Sequence, residues 1–457
     1  MMSSNDLLHM YHNHYSTPIS VIIIIIVVMC ASFIYIDNIG EIDAQSSKKS
    51  KKEPSIPILR DNDLKTELIV DKLQFPSGME FIGNDDLLVI EKNTGKVKRV
   101  TNGEVVADLL DLNVATKSER GLLGIAVLDI SKTKHASNYG PNDKFVFLFV
   151  TETENEDDGE ILGNRVYRFD FMNDALINPV LLLDLPYLPG PSHNGGVMKI
   201  GPDNNLYIIM GDLNRLKDPT GDTIASNLQG TSLPDGRGGV LRITPDGETV
   251  NDGFTLGVGG LLDKYYGYGV RNSFGIGFDN VTGFLWDTEN GSHYGDEINI
   301  IKPGFNSGWR QVLGLSSMYS EFSNKEFDKS KLVTFNGNGK YYDPVLTWND
   351  TIAPTTIAFI HSSTLGQEYM DDVLVGGVKN GTILHFDLNQ TRTGLQLEGS
   401  LSDKVVNKPD ELNTAIFGTG FDIITDIKID PIDGDVYVLA ANTKNGKIYK
   451  VFQDGDT

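Results

Sequence analysis

Residues 424–451 read ITDIKIDPIDGDVYVLAANTKNGKIYKV. Apolar and polar residues alternate in three short runs, and the dipeptides Asp-Gly and Asn-Gly separate these runs. Alternation with a period of two is typical of strands that bury one face, and both dipeptides favour tight hairpin turns. This stretch therefore predicts three antiparallel β-strands joined by hairpins.

The same unit of strand, turn and strand recurs along the chain. It is clearest from Gly78, Val197 and Gly275, and looser copies begin at Leu122 and Thr356. With the stretch quoted above, these make six copies. A hairpin cannot bury both of its faces alone, whereas sheets stacked radially around a channel bury them and protect their edges. The sequence therefore predicts an all-β fold, a six-bladed β-propeller.

The composition excludes several classes of protein. The 457 residues include 39 Lys+Arg and 62 Asp+Glu, which gives a formal net charge of −23. This excess of acid argues against a nucleic-acid partner, which requires a basic surface. The chain has one cysteine, Cys30, so neither a disulfide framework nor a multi-cysteine zinc site is expected. Irregular spacing of the repeats predicts long insertions at 211–238 and 302–345, and such loops usually carry function.

The N-terminal region differs from the repeats. Pro18 to Ile36 is a run of 19 residues without a charge, which is long enough to cross a bilayer as a helix. No Lys or Arg precedes it, so an anchor is favoured over a cleaved signal peptide, although cleavage after Ala44 stays an alternative. The predicted organisation is a short tail at 1–17, a transmembrane anchor or uncleaved signal at 18–36, a flexible stalk at 37–62 and the propeller at 63–457.

Two short stretches contain candidate catalytic residues. His193 lies in a loop flanked by glycines, and Asp212 ends the strand that follows it. A histidine that a carboxylate orients can act as a general base, although the same pattern fits a hydrogen-bonded loop residue beside a turn former. Arg271 and Asn272 begin the fourth copy of the repeat and, taken alone, fit an ordinary surface ion pair equally well.

Two further stretches contain candidate binding residues. Residues 289–297 read ENGSHYGDE and lead into a glycine-rich loop that ends in Gly308-Trp309. Carboxylates and exposed carbonyls in one loop are the hard oxygen ligands that suit calcium, although a solvated acidic loop has the same composition. Lys379 lies in Gly-Val-Lys-Asn-Gly, where a solvated hairpin tip is the ordinary interpretation.

Taken in order, these motifs resemble the glucose/sorbosone dehydrogenase family, the soluble aldose sugar dehydrogenases that use pyrroloquinoline quinone. The resemblance covers roughly 66–452 and implies a six-bladed propeller. The motifs that carry it are 119–126 (ERGLLGIA), 193–196 (HNGG), 201–212 (GPDNNLYIIMGD), 239–247 (GVLRITPDG), 271–272 (RN), 296–299 (DEIN) and 308–309 (GW).

The resemblance implies an oxidoreductase that oxidises the C1 hydroxyl of an aldose to the lactone, with hydride transfer to the quinone and assistance from calcium. It implies that His193 is the base, that Asp212 orients it and that Arg271 lies at the reacting centre. The implied cofactor contacts are Glu119, Arg271, Asn272, Thr351 and Lys379. The implied metal positions are the carbonyls of Gly291 and Ser292, for calcium at the cofactor, and Glu297, for a structural calcium.

The sequence departs from the family pattern at two places. Glu119 stands where the family often has glutamine, and a carboxylate would repel an anionic quinone unless a group such as Arg120 pairs with it. Residues 421–427 read FDIITDI and lack the arginines that commonly bind the cofactor there. These departures leave two alternatives open, a catalytically silent propeller that binds a protein or glycan and a calcium-dependent lactonase-like hydrolase.

The expected partners are a sugar, an external electron acceptor and, through the N-terminal helix, a membrane. Quinone dehydrogenases of this type act outside the cytoplasm, so the propeller is predicted to be extracytoplasmic. The lysines at 48, 49, 51 and 52 lie beyond the predicted span and argue for the opposite orientation.

Overall fold

The structure is a computed structural model that describes residues 56–215, 217–218, 221–319, 326–379 and 381–455. The predicted tail, the predicted membrane segment and most of the predicted stalk lie outside the described residues. Within the described ranges, no helix has both the length and the apolar character that a membrane span requires.

The described strands form six sheets, numbered here in chain order. Sheet 1 contains Pro76–Gly83, Asp86–Glu91, Lys96–Thr101 and Glu104–Asp111. Sheet 2 contains Leu122–Asp129, Lys144–Thr153, Ile161–Met172 and Ala175–Leu185. Sheet 3 contains Met198–Ile200, Leu206–Met210, Gly239–Ile243, Tyr265–Tyr268, Phe305–Asn306 and Lys340–Tyr341.

The other three sheets follow the same plan. Sheet 4 contains Ser273–Phe278, Leu285–Glu289, Asp296–Ile301, Leu346–Trp348 and Val405–Val406. Sheet 5 contains Pro354–Phe359, Val373–Gly377, Ile383–Phe386, Ile416–Thr419 and Ile58–Leu59. Sheet 6 contains Ile423–Ile429, Val436–Ala441, Gly446–Gln453 and Leu64–Leu73.

Short 3₁₀ helices connect some of these strands. They cover Ile130–Lys132, Ala136–Asn138, Ile224–Ser226, Leu262–Lys264, Ser316–Met318, Lys329–Lys331, Phe335–Gly337, Gln367–Tyr369, Gly399–Asp403 and Pro409–Ala415. Several of them lie in the long insertions that the sequence predicts between strands of sheets 3 and 4.

The sheets close into a ring. The first strand of each sheet packs against the first strand of the next, and Ile423–Ile429 of sheet 6 returns to Pro76–Gly83 of sheet 1. Sheet 6 joins the two ends of this domain, because Leu64–Leu73 pairs with Gly446–Gln453. The chain is therefore an all-β propeller, as the sequence predicts. Within the predicted stalk, Ile58–Leu59 adds an edge strand to sheet 5.

The core lies between neighbouring sheets. In Lys144–Thr153 the side chains of Phe145, Phe147 and Phe149 pack toward sheet 3, and Val146, Leu148 and Val150 pack toward sheet 1. Successive side chains of a strand point to opposite faces, so a strand that is covered on both faces needs an apolar residue at every position. This explains why the run FVFLFV does not alternate.

The ring has two distinct ends. The first strands of sheets 1, 2, 4, 5 and 6 finish around one cavity of about 480 Å³, which Gly83, Asp129, Phe278, Phe359 and Ile429 help to line. The loops that precede the first strands lie at the other end. His193, Arg271 and Thr351 are in or next to those loops, so the fold brings the candidate residues to a single end of the ring.

Candidate active site

A buried histidine–carboxylate pair lies at this end. His193 Nδ1 is 2.6 Å from Asp212 Oδ1, and the two residues are 3% and 1% exposed. Asp212 also accepts hydrogen bonds from the Asn214 N–H at 2.9 Å and from Trp309 Nε1 at 2.6 Å. Burial alone would raise the pKa of Asp212, but the bonds from His193, Asn214 and Trp309 outweigh it and lower the pKa. Asp212 is therefore a carboxylate at neutral pH.

A carboxylate at Asp212 determines which ring nitrogen of His193 holds the proton. Only a protonated Nδ1 can donate to the carboxylate oxygen, so Nε2 of the neutral ring is the nitrogen with a free lone pair. Among the described residues, none forms a hydrogen bond with Nε2. The pair thus has the arrangement that a general base and its orienting partner require.

The backbone around the pair is tightly constrained. His193 has a left-handed φ of 63°, a conformation that non-glycine residues adopt mainly where the surroundings impose it. Gly211 precedes Asp212, and a Cβ there would lie 2.3 Å from the carbonyl oxygen of His193 and 2.8 Å from that of Arg271. Only glycine permits this approach, which explains the Gly-Asp sequence at the end of the strand.

The Glu119 carboxylate accepts hydrogen bonds from both the histidine loop and Asn272. Its Oε2 accepts hydrogen bonds from the His193 N–H at 2.6 Å and from Asn272 Nδ2 at 3.0 Å. Arg120, the group considered as a partner for Glu119, instead donates to the backbone carbonyl of Tyr187 at 2.8 Å. Glu119 therefore joins the histidine loop to the start of sheet 4.

Arg271 brings a buried positive charge to the site. Its guanidinium donates to the Asn290 carbonyl at 2.6 Å and lies 5.5 Å from the ring centre of Trp309. Burial lowers the pKa of Arg271, although Asp212 and Glu119 partly offset this effect. Among the described residues, neither Arg271 Nε nor Asn272 Oδ1 has a hydrogen-bond partner, although both are buried. Buried polar atoms without partners are rare and indicate a place for a ligand or water.

Trp309 connects the two halves of the site and is held by a pair of amides. Asn227 donates to the Trp309 carbonyl and to Asn306 Oδ1, both at 2.8 Å, and Asn306 donates back to Asn227 at 2.8 Å. Asn227 belongs to the insertion at 211–238, and Trp309 belongs to the insertion at 302–345. The two long insertions thus brace each other beside Trp309, which donates to Asp212.

The loop expected to bind calcium is tied to sheet 5. The Gly291 N–H donates to Asp296 Oδ1 at 2.7 Å, and Asp296 Oδ2 accepts from the N–H groups of Ile352 and Ala353, each at 2.7 Å. Ser292 is exposed. Asp296 is thus fully engaged in holding the loop, and the carbonyls of Gly291 and Ser292 are the groups that remain for a cation.

Glu297 belongs to a cluster of three buried carboxyl groups in sheet 4. It pairs directly with Glu289 on the neighbouring strand, and Asp287 is the third member. Burial raises the pKa of Asp287 to about 7. Burial, with repulsion from Asp287, raises the pKa of Glu297 to about 8, and burial with repulsion from Glu297 and Asp287 raises that of Glu289 well above its usual range. Buried like charges without a counter-ion are costly, so the raised pKa values limit the negative charge that this cluster carries at neutral pH.

The remaining cofactor candidates also come together. Lys379 Nζ donates to the Thr351 carbonyl at 2.5 Å and to Thr351 Oγ1 at 2.9 Å. At the strand starts of sheet 6, where the arginines are missing from the sequence, Lys447 is 8% exposed and lies 3.3 Å from Asp422. A lysine of a different strand therefore supplies a positive charge to this region.

Three residues of the site have no role in the sequence-based interpretation. Trp309 donates a hydrogen bond to Asp212, and Glu289 accepts one from the Arg271 N–H. Both residues lie in motifs that the sequence singles out, but nothing in the sequence shows these contacts. Lys92 follows an ordinary strand, and burial lowers its pKa to about 8, with Glu119 acting in the opposite direction. Only the burial, which a sequence does not display, distinguishes this lysine.

Comparison with known proteins identifies a matching family model and related proteins. A family model described as Glucose / Sorbosone dehydrogenase matches residues 73–450. An uncharacterized protein of Synechocystis sp. is 26% identical over 431 residues, covering 90% of this chain and 93% of that protein. Aldose sugar dehydrogenase YliI of Escherichia coli is 23% identical over 392 residues, covering 84% of this chain and 92% of that protein.

A solved structure shows the same fold. The pyrroloquinoline quinone-bound form of aldose sugar dehydrogenase from Streptomyces coelicolor superposes with a TM-score of 0.56, at 23% identity, over 86% of this chain and 99% of that chain. At this identity, the likeness bears on the fold alone. The family model covers most of the chain, and the chain therefore belongs to the glucose/sorbosone dehydrogenase family.

Proposed function

We propose that this propeller, with one blade per sheet and six blades in all, is an aldose dehydrogenase that depends on pyrroloquinoline quinone and calcium. It oxidises the C1 hydroxyl of an aldose to the lactone. One observation carries the proposal. The buried His193–Asp212 pair, which suits general-base chemistry, lies in the same site as a buried arginine whose Nε has no hydrogen-bond partner in the described part of the chain.

The residues present fit the quinone. An anionic cofactor needs donors and positive charge, and the site offers Arg271 Nε without a partner and a Lys379 ammonium on Thr351. The carboxylate of Glu119 is engaged by the His193 N–H and by Asn272, which reduces the repulsion that the sequence predicts. Arg271, Asn272, Thr351 and Lys379 would hold the cofactor, with Glu119 fixing the arrangement.

The residues present also fit calcium. Two backbone carbonyls at Gly291 and Ser292 and the buried carboxylates of Glu289 and Glu297 are hard oxygen donors. Asp287 Oδ1 and Asn299 Oδ1 are buried and, within the described residues, have no hydrogen-bond partner. Burial and, to a smaller extent, repulsion from Asp287 raise the pKa of Glu297, and a cation near this cluster would offset that repulsion.

His193 and Arg271 perform distinct parts of the reaction. When bound, the quinone supplies the acceptor for the hydride that leaves C1, and calcium makes that acceptor more electron-poor. His193 Nε2 takes the proton of the C1 hydroxyl, and the Asp212 carboxylate stabilises the imidazolium that results. Arg271 stabilises negative charge that develops at the reacting centre. The lactone leaves with two fewer hydrogens than the sugar.

A dye-reduction assay with a matched histidine control tests this proposal. The full-length protein is loaded with pyrroloquinoline quinone and calcium, and dye reduction is followed with a panel of aldoses. His193→Ala should lower turnover by about 10²- to 10⁴-fold, the usual cost of losing a general base. His135→Ala removes another histidine that bonds to an aspartate, Asp246, at 2.9 Å outside the site, and it should leave turnover unchanged. Equal turnover in the wild type and His193→Ala would refute the assignment.

We further propose that the N-terminal segment anchors the protein and that the propeller lies outside the cytoplasm. The support is the uncharged run at 18–36 together with a family whose reaction suits that location. The lysines at 48–52 count against it. Protease treatment of intact cells should digest the propeller, and full protection of the C-terminal domain would contradict the proposal.

A further inference from the structure

Three carboxylates from two sheets meet at the end of the ring opposite the active site. Asp85 lies in the hairpin that follows Pro76–Gly83 of sheet 1, and Asp430 and Asp433 lie in the turn after Ile423–Ile429 of sheet 6. One oxygen from each of the three residues lies within 4.8 Å of the others. Both hairpins follow the first strand of their sheet, which places this cluster far from the loops that hold His193.

Asp430 has an oxygen without a partner. The residue is 1% exposed, and its Oδ1 accepts hydrogen bonds from the N–H groups of Ile432 at 2.8 Å and Asp433 at 3.3 Å. Its Oδ2 is buried and, within the described residues, has no hydrogen-bond donor. Buried carboxylate oxygens are normally satisfied, so this atom points to a ligand.

The other two carboxylates are held in place by their surroundings. Asp85 Oδ1 accepts from the Tyr437 hydroxyl at 3.1 Å, and Asp85 Oδ2 accepts from Asn84 Nδ2 at 3.1 Å. The turn that contains Asp433 is closed by a hydrogen bond from the Asp430 N–H to the Asp435 carbonyl at 2.8 Å. The Asp433 side chain is 38% exposed, so an ion can enter from solvent.

One lysine lies near the cluster and is shared. Lys450 Nζ is 2.6 Å from Asp435 Oδ2 and 3.4 Å from Asp433 Oδ2. Its closer partner is therefore a fourth carboxylate outside the cluster. Among the ion pairs of the described residues, none joins Lys450 to Asp85 or Asp430, so three negative charges face each other with partial compensation at one of them.

We propose that Asp85, Asp430 and Asp433 bind a calcium ion that joins the first sheet of the propeller to the last. All three ligands are hard oxygens, and water can complete the shell. Calcium takes about six to eight oxygen ligands in a flexible geometry, so three carboxylates can supply part of its shell. The three oxygens lie close enough together to share one ion. Because sheet 6 also contains the N-terminal strand Leu64–Leu73, the ion strengthens the closure of the ring.

Terbium luminescence tests the site directly. Terbium replaces calcium at oxygen sites, and Tyr437, whose hydroxyl touches Asp85, is placed to sensitise it. Full-length protein is stripped with chelator, titrated with terbium under tyrosine excitation, and then titrated back with calcium. Asp433→Asn should weaken calcium binding at this site by at least tenfold, and Glu297→Gln, which alters the carboxyl cluster of sheet 4, should leave it unchanged. Asp372→Asn removes an acid from another group of close titratable side chains and serves as the matched control.

Asp430→Asn distinguishes a metal ligand from a structural acid. The asparagine Oδ1 still accepts from the Ile432 and Asp433 N–H groups, and the change removes repulsion from two carboxylates. In chelator, the melting temperature should therefore equal or exceed that of the wild type, and the increase on adding calcium should be smaller than in the wild type. A variant that melts lower in chelator yet keeps the full calcium increase, or wild-type calcium affinity in Asp433→Asn, would overturn the proposal. Neither result depends on quinone binding.

Discussion

Replacing Asp212 by asparagine should create a conflict that a second substitution relieves. The carboxylate accepts from three donors, the His193 Nδ1–H and Asn214 N–H at Oδ1 and Trp309 Nε1–H at Oδ2. An asparagine side chain has one acceptor oxygen and one NH₂ group. If the oxygen faces His193 and Asn214, the NH₂ group meets the Trp309 N–H, donor against donor. Trp309→Phe removes that N–H, so Asp212→Asn should cost less when it is combined with Trp309→Phe.

The magnitude follows from the burial of these groups. Asp212 is 1% exposed, so water cannot repair the donor that loses its acceptor, and such a buried group costs about 1–3 kcal/mol. Trp309→Phe alone deletes one hydrogen bond to a charged acceptor, again about 1.5–3 kcal/mol. In the double variant, the asparagine NH₂ group no longer faces the Trp309 N–H. The double variant should therefore be more stable than the sum of the single effects by about 1–2 kcal/mol.

Denaturant unfolding of the four proteins measures this coupling. Wild type, the two single variants and the double variant are unfolded in urea with calcium held constant, and the coupling energy is taken from the four free energies of unfolding. Independent sites add within about 0.5 kcal/mol. Additive effects at these two residues would show that Trp309 does not bond to Asp212, and the arrangement described for the His193 pair would be wrong.

Three other predictions concern charge in the same site. Glu119→Gln keeps an acceptor for the His193 N–H but removes a negative charge, so pyrroloquinoline quinone should bind several-fold tighter in a fluorescence titration; weaker binding would contradict a repulsive role. The folded-state pKa of Lys92 is about 8 and its ordinary value is 10.5, so between these values the unfolded chain holds more protons and stability should rise with pH, by about 3 kcal/mol in total. Lys92→Met should lack this rise in urea unfolding from pH 8 to 10.5, and an identical pH profile would show that Lys92 titrates normally. Lys379→Met removes the ammonium that bonds to Thr351 and should weaken quinone binding about tenfold without changing the melting temperature; unchanged affinity would remove Lys379 from the cofactor site.

Repetition made the fold predictable from the sequence. Each of the six copies that begin at or near Gly78, Leu122, Val197, Gly275 and Thr356, with the stretch at 424–451, contributes strands to its own sheet. Alternation reports local burial, so hairpins could be assigned one at a time. The edge strand at Ile58–Leu59 could not, because its pairing with Ile416–Thr419 joins residues more than 350 positions apart.

The sequence named most residues of the candidate site but could not show the hydrogen bonds that join them. His193 and Asp212 were paired on motif and family, and the structure places them 2.6 Å apart. The roles of Glu119 and Trp309 depend on contacts across separate insertions, which leave no periodic signal. The raised pKa of Glu297 likewise depends on its burial and on Asp287, and the shared direction of these side chains is visible only in the paired strands.

Reduction of the bound quinone by sugar tests the central claim most directly. Full-length wild type and His193→Ala are loaded with equal amounts of pyrroloquinoline quinone in calcium, each is mixed with an aldose in a single turnover, and the absorbance of the quinone is followed with the yield of lactone. The account predicts one lactone for each quinone reduced in the wild type, at a rate at least about 10² higher than in His193→Ala. A wild type that binds the quinone but reduces it with none of the aldoses, or that hydrolyses lactones without any quinone, would contradict it.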